Sequence, residues 1–122
     1  MKWRTPCDWT KPCAYDPEQK AVFHRASRER LKALAGAVGW DADAYDLRSN
    51  QGSIAVSGEI TLHHDAVYIQ AAQGALGPGM GILIRTCRGR RDYTGGPNNF
   101  APLDLLDNIP ALCRRVRSVM GL

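Results

Sequence analysis

Residues 53–71, SIAVSGEITLHHDAVYIQA, alternate apolar with polar side chains and decide the fold. A period of two is typical of antiparallel strands with one buried face. The pattern predicts a first strand over residues 53–64, a tight turn at His64 and Asp65, and a second strand from Val67 to Ala71. Gly58 lies on the apolar side of the first strand and indicates a bulge or bend. The side chains predicted to face the core are Ile54, Val56, Ile60, Leu62, Val67, Ile69 and Ala71.

The next segment, residues 74–81, reads GALGPGMG and holds too much glycine and proline to continue a strand. It lacks the GxxxxGK[ST] pattern of phosphate-binding loops and opens no helix, so we interpret it as a hairpin connection. A third strand from Ile82 to Cys87 follows and runs back along the second. The sequence therefore predicts a three-stranded antiparallel meander.

Helices flank this sheet in the sequence. Asp16 is a typical N-cap, with Pro17 at the first helical position and Gln19 placed for a capping box. Gly36 and Gly39 indicate the end of this N-terminal helix. Pro102 opens a short helical turn, PLDLLD, and Pro110 opens a C-terminal helix. Helices on one face of the meander predict an α+β fold, specifically a two-layer sandwich.

The chain of 122 residues is long enough for one domain and contains no linker. Residues 1–15 have no helical or strand period and predict an irregular N-terminal arm that lays Trp3 and Trp9 on the body. Residues 16–122 form the single α+β domain. The edges of a three-stranded sheet leave room for a homodimer through strand pairing.

Composition narrows the class of protein. The chain is 44% hydrophobic and 23% charged, which is typical of a globular domain. It contains neither a signal-peptide pattern nor a window of about 18 apolar residues, so we expect a cytoplasmic protein with no membrane partner. The four cysteines, Cys7, Cys13, Cys87 and Cys113, lack CxxC spacing, which argues against zinc. We predict no metal or cofactor and expect thiols, although Cys7 and Cys13 could oxidise.

Positive charge is concentrated at the C-terminal end. Residues 1–80 carry nine Lys or Arg and nine Asp or Glu, whereas residues 81–122 carry seven arginines and three aspartates. Every basic residue after Lys32 is an arginine. Planar guanidinium groups suit phosphate, carboxylate and aromatic partners better than ammonium groups do. The asymmetry indicates a binding face in the last third of the chain.

The strongest candidate site is residues 85–99, RTCRGRRDYTGGPNN. Its arginines could neutralise an anion, Tyr93 could stack on a ring, and two glycines could leave backbone N–H donors free. An alternative interpretation is a solvated turn in which Asp92 pairs with an arginine. Arginines of the last helix could extend the basic track or only complement the helix dipole. The predicted ligand-binding residues are Arg85, Arg88, Arg90, Arg91, Tyr93, Gly95, Gly96, Arg114 and Arg115.

Three functions remain open at this point. The first is a small non-enzymatic binding protein that contacts an anionic partner, preferably nucleic acid, through this loop. The second is a protein interaction factor or inhibitor that docks on an acidic protein surface, with Trp3 and Trp9 as a further contact region. The third is an enzyme using His63, His64 or Tyr93 as acid or base. It ranks last, because His63 and His64 should face opposite sides of a strand and no catalytic set can be assembled.

Overall fold

The computed structural model describes residues 3–74 and 76–122, which form two helices and five strands. The α+β class predicted from the sequence is confirmed. The helices are α1 (Pro17–Val38) and α2 (Ile109–Val119), and the strands are β1 (Tyr45–Asn50), β2 (Glu59–His64), β3 (Val67–Ala72), β4 (Ile82–Thr86) and β5 (Asn99–Ala101). Short 3₁₀ turns occupy Ala42–Ala44, Pro78–Met80 and Leu103–Asp107.

The sheet has five antiparallel strands in the order β1-β2-β3-β4-β5, so the prediction of a three-stranded meander is wrong. The two missed strands are the edge strands. In β1 only Tyr45 and Leu47 are large apolar residues, and all of its last three residues are exposed. Strand β5 has three residues, too few to show a period of two. Edge strands are solvated on one side and need little apolar sequence, which is why the pattern did not reveal them.

The predicted start of the first strand is also wrong, because β2 begins at Glu59 and residues 53–58 belong to the loop before it. Ile54 and Val56 are 60% and 47% exposed and are not core residues. Gly58 has a φ of +71°, and a Cβ there would lie 2.3 Å from the Asn50 carbonyl oxygen. The eight-residue connection between β1 and β2 therefore ends at a position that only glycine fills without strain.

The core lies between the helices and one face of the sheet. Ile60, Leu62 and Ile69 are fully buried, as the alternation predicts. Leu31 of α1 and Leu112 of α2 are fully buried in the same cluster. The opposite side of the sheet, which we call the open face, carries Asp46, Arg48, Thr61, His63, Tyr68, Gln70 and Arg85.

Local sequence explains the helix boundaries. The Asp16 side chain accepts a hydrogen bond from the Gln19 amide at 3.0 Å, and Gly39 ends α1 with a φ of +97°. Asn108 caps α2 by accepting from the Ala111 amide at 3.3 Å. Among the described residues, neither helix combines the length and the apolarity needed to cross a bilayer.

Arginines from the helices contact both edges of the sheet. Arg28 of α1 donates to the Leu47 carbonyl of β1 at 3.3 Å. Arg115 of α2 donates to the Phe100 carbonyl of β5 at 2.8 Å. In each edge strand, one backbone carbonyl is therefore already bound by an arginine of a helix. A further strand that paired with this carbonyl would have to displace the arginine.

A buried arginine joins the N-terminal arm to the two helical segments. Arg30 of α1 is 1% exposed, and its Nε donates to an Asp107 carboxylate oxygen at 2.8 Å. Its guanidinium carbon lies 4.6 Å from the Trp3 ring centroid and 5.3 Å from that of Trp9. Asp107 also accepts from the Trp9 indole at 2.7 Å, and Arg30 donates to the Thr5 carbonyl at 2.6 Å. One guanidinium thus fixes the arm, α1 and the turn before α2 together.

Replacing this guanidinium by an apolar side chain should destabilise the protein strongly. We expect Arg30→Met to lower the free energy of unfolding by about 2 to 3 kcal/mol, because Asp107 and the Thr5 carbonyl lose a charged donor. Urea unfolding followed by far-UV circular dichroism measures it. The matched control is Arg25→Met on the exposed side of α1, which should change stability by less than about 0.5 kcal/mol. Equal effects of the two substitutions would contradict the role assigned to Arg30.

Candidate functional site

The arginine-rich segment is a folded loop between β4 and β5. Arg85 lies within β4, Asn99 begins β5, and residues 87–98 connect the two strands. Asp92 organises the loop: one carboxylate oxygen accepts from the Thr94 and Gly95 amides at 3.1 and 3.0 Å, and the other accepts from the Arg88 amide at 2.9 Å. These backbone bonds hold the pKa of Asp92 far below its usual range. The Asp92 carboxylate therefore holds the loop together by accepting hydrogen bonds from its backbone. Its bond to Arg88 is with the backbone amide and not with the guanidinium group.

Arg90 anchors the loop to the rest of the sheet. Its Nε donates to Asp65 at 3.0 Å, and a terminal nitrogen lies 3.5 Å from Asp46. Its other terminal nitrogen donates to the Asp43 carbonyl. The sequence interpretation gave Arg90 to a ligand, whereas the structure gives its guanidinium to three segments of the chain itself.

Gly95 and Gly96 allow the loop to lie directly on β4. Gly95 has a φ of +53°, and a Cβ there would lie 2.5 Å from the Thr86 carbonyl oxygen. A Cβ at Gly96 would lie 2.5 Å from the Thr86 hydroxyl oxygen. Their amides, which we expected to be free donors, are engaged: Gly95 donates to Asp92 at 3.0 Å and Gly96 donates to the Thr86 carbonyl at 2.8 Å. Both glycines thus serve close packing of the loop.

The same fold places Tyr93 over the open face of the sheet. Its ring centroid lies 5.3 Å from that of His63 in an edge-to-face arrangement, and 55% of the residue remains exposed. Arg48 of β1 donates to the Tyr93 hydroxyl at 3.2 Å, and Arg85 of β4 donates to the Tyr93 carbonyl at 2.6 Å. The Arg85 guanidinium carbon also lies 4.5 Å from the Tyr68 ring centroid. Tyr93 therefore exposes its aromatic ring, and two guanidinium groups donate hydrogen bonds to this residue.

Beneath Tyr93, His63 is fully buried, and neither ring nitrogen has a hydrogen-bond partner within the described chain. Burial is the main cause that lowers the pKa of His63, and the Arg48 charge acts in the same direction, whereas the Gly89 backbone and the carboxylates of Asp46 and Asp92 oppose the shift. Tyr68 packs edge-on against His63 with ring centroids 5.0 Å apart. The His63 ring thus lies between Tyr68 and Tyr93, in an environment that favours the neutral imidazole.

The remaining predicted arginines differ in how far they are engaged. The side chains of Arg88, Arg91 and Arg114 are exposed and make no hydrogen bond or ion pair with any residue that the structure describes. Arg115 is held at the β5 edge by its bond to Phe100. The structure thus joins Arg85 and Tyr93 directly, and it adds Arg48, His63 and Tyr68, which sequence reasoning did not include among the binding residues. The sequence of β1 gives no signal for Arg48, because only the pairing of β1 with β2 places this residue on the open face.

The two adjacent histidines lie on opposite faces, as predicted. His64 stacks on Trp40 with ring centroids 4.1 Å apart, and its Nδ1 accepts from the Ala66 amide. Within the described residues, no group of three or more potential ligands could hold a metal ion. All four cysteines are free thiols, and burial raises the pKa of Cys7 to about 11.

We expect Gly95→Ala to reduce the free energy of unfolding by about 1 to 2 kcal/mol, because alanine is strained at this positive φ and its Cβ meets the Thr86 carbonyl. Urea unfolding measures the effect. Gly89→Ala in the same loop is the control, because a Cβ there meets nothing within 4 Å. A Gly95→Ala protein as stable as Gly89→Ala would show that the loop does not pack on β4 in this way.

Stability should depend on pH through His63. Burial lowers its pKa below the ordinary 6.5, so below that pH the unfolded chain binds a proton more readily than the folded chain does. The free energy of unfolding should therefore fall as the pH drops from about 7.5 to about 5. His24 and His64 contribute in the same direction. His63→Phe should weaken this pH dependence, and an unchanged dependence in urea titrations would refute the assignment.

Comparisons of the chain with protein-family models, with curated proteins and with solved structures give no match. The function must therefore be inferred from the site. Its distinctive feature is the division of the arginine-rich loop into groups that build it, such as Arg90, and groups that face solvent, such as Arg88 and Arg91.

Proposed function

We propose that this protein is a small non-enzymatic binding protein whose arginine-rich loop contacts an anionic partner, preferably nucleic acid. The observation that carries the proposal is the exposed Tyr93 ring, with the Arg48 guanidinium at its hydroxyl. An aromatic ring in a basic surface is a platform on which a base can stack while guanidinium groups bind the neighbouring phosphates. Its position above the buried His63 limits how far the ring can sink into the sheet.

Exposed charge supports the same partner. Arg88 and Arg91 extend from the loop that presents Tyr93, and within the described chain no carboxylate neutralises them. Asp92, the acidic residue of this loop, is surrounded by backbone amides. When such unpaired guanidinium groups bind phosphates, the counterions of the nucleic acid are released, which makes the affinity depend on salt.

Single strands suit this surface better than duplexes. The exposed aromatic ring lies on a loop packed against a sheet, and a base can reach such a ring only when it is unstacked from its neighbours. Arg48 of β1 and Arg85 of β4 both lie on the open face, where Arg48 donates to the Tyr93 hydroxyl and Arg85 donates to the Tyr93 carbonyl. A strand crossing the open face would therefore meet the guanidinium groups of Arg48 and Arg85 close to Tyr93.

The alternative partner is an acidic protein surface, which Arg88, Arg91 and Arg114 could also contact. The two tryptophans that were to provide its second contact region are used within the chain: Trp9 is 5% exposed and Trp3 stacks on Arg30. This favours nucleic acid over the protein interface. A cytoplasmic location and the absence of a membrane partner remain part of the proposal.

An enzyme built on His63, His64 and Tyr93 has less support. His63 is fully buried, and His64 lies on the opposite side of the sheet, stacked on Trp40. Within the described residues, Tyr93 donates no hydrogen bond to either imidazole. The three side chains therefore form no acid and base pair in this arrangement.

The test is fluorescence anisotropy with labelled single-stranded RNA and DNA and with a duplex, each at two salt concentrations between about 50 and 200 mM. We expect Arg88→Ala/Arg91→Ala to weaken binding to single strands. The slope of log affinity against log salt should decrease by about 1.4, since each phosphate contact on a single strand contributes about 0.7. Arg90 is left unchanged, because its substitution would disrupt the loop itself.

The control is Arg25→Ala/Lys32→Ala, which removes the same charge from exposed positions of α1. It should leave the slope nearly unchanged. The proposal fails if wild-type protein binds none of these nucleic acids at the lower salt concentration. It also fails if the two double variants lose affinity equally, because binding would then reflect net charge alone.

A further inference from the structure

A concave surface lies at the end of the sheet opposite to the arginine-rich loop. Here β1 ends at Asn50, β2 begins at Glu59, β3 ends at Ala72 and β4 begins at Ile82. The N-terminal arm crosses this end. Together with the loop between β1 and β2 and the loop between β3 and β4, the arm lines a cleft of about 610 Å³. This volume is within the range of small-molecule sites, which is roughly 300 to 1,000 Å³.

The walls of the cleft are held by hydrogen bonds. The Gln73 side chain accepts from the Cys13 amide at 3.0 Å and donates to the Lys11 carbonyl at 2.8 Å, which fixes the arm to the end of β3. The Tyr15 amide donates to the Ile54 carbonyl at 2.7 Å, which fixes the arm to the loop before β2. The cleft is therefore largely preformed, which lowers the entropic cost of binding.

The lining is mainly apolar or small and carries a single charge. Trp9, Pro12, Val56, Ala72 and Pro78 contribute apolar surface. Val56 is 47% exposed and so presents an apolar side chain at the rim without covering from the rest of the chain.

Among the described residues that line the cleft, Glu59 alone has an ionisable side chain, and its carboxylate makes no hydrogen bond or ion pair with any of them or with another described residue. The Glu59 carboxylate is half-buried beside apolar walls and has no cationic partner among the described residues. It is therefore a negative charge that a bound cation could compensate. Charge complementarity thus selects a cation, and the apolar walls select one with a hydrocarbon or aromatic body.

We propose that this cleft binds a small organic ammonium ion, with the ammonium group on Glu59 and the apolar body against Trp9, Pro12 and Val56. The binding is non-covalent and independent of nucleic acid, because the arginine-rich loop leaves the other end of β4. The ammonium group and the carboxylate form a charge-assisted hydrogen bond in a partly desolvated setting. Trp9 is 5% exposed, and the part of its indole ring that lines the cleft is fixed by the hydrogen bond to Asp107 at 2.7 Å.

The test is a ¹H–¹⁵N NMR titration of the full chain with phenethylamine, compared with its neutral analogue 2-phenylethanol. We expect saturable shifts for the Trp9 indole and for the amides of Gly58, Gln73 and Gly74, with an affinity in roughly the millimolar range for so small a probe. The alcohol should bind about fivefold more weakly because it lacks the ion pair. Glu59→Gln should reduce phenethylamine affinity by about the same factor.

Glu18→Gln, which removes an exposed carboxylate at the start of α1, is the control and should leave the affinity unchanged. The amide spectrum of each variant shows whether it is folded like wild type. If no cleft resonance shifts in a saturable way, the proposal is overturned. It is also overturned if amine and alcohol bind equally to wild type, or if folded Glu59→Gln binds the amine as tightly as wild type does.

Discussion

The structure depends most on the buried guanidinium of Arg30. It stacks near Trp3 and Trp9, donates to Asp107 and to the Thr5 carbonyl, and is almost completely removed from water. A buried arginine is tolerated only when its donors are satisfied. The arm must therefore lie where it does, with Trp9 as one wall of the apolar cleft. The position of the arm and the shape of the cleft follow from the same constraint.

At the other end of the sheet, the loop after β4 separates structural from available charge. Arg90 is shared among Asp43, Asp46 and Asp65, and Asp92 is enclosed by backbone donors. Because these groups bind each other or backbone groups, the loop keeps its shape without using the Arg88 or Arg91 side chain. The net positive charge of the chain is thereby left on side chains that face solvent. The arginine-rich loop and the cleft thus lie at opposite ends of one sheet, with exposed arginines at one end and Glu59 at the other.

Sequence patterns predicted the parts of the fold that depend on local chemistry. Asp16 and Pro17 indicated α1, and the alternation from Val67 to Ala71 indicated β3. The edge strands were missed because their polar residues carry no period, and Ile54 and Val56 were misplaced because the turn at Gly58 interrupts the alternation. Gly58 itself indicated a bulge or bend, but the sequence did not show that the strand begins only after this residue.

The candidate site divides in the same way. Arg85 and Tyr93 were predicted from the composition of one loop, and the structure brings them together. The contributions of Arg48 and His63 depend on the register of β1, β2 and β3, which places residues distant in sequence on one face. The composition of the loop assigned Arg90 to a ligand. Its three partners lie outside the loop, so the loop sequence does not indicate them.

The most direct test of a nucleic-acid surface on the open face is ultraviolet cross-linking of the full chain to a short single-stranded RNA containing 4-thiouridine, with the modified residue located by mass spectrometry. Stacking on the exposed ring predicts cross-links at Tyr93, with few at Trp40, which is stacked on His64 away from the open face. Cross-links concentrated on the helices or on the N-terminal arm, with none at Tyr93, would contradict this placement of the binding surface.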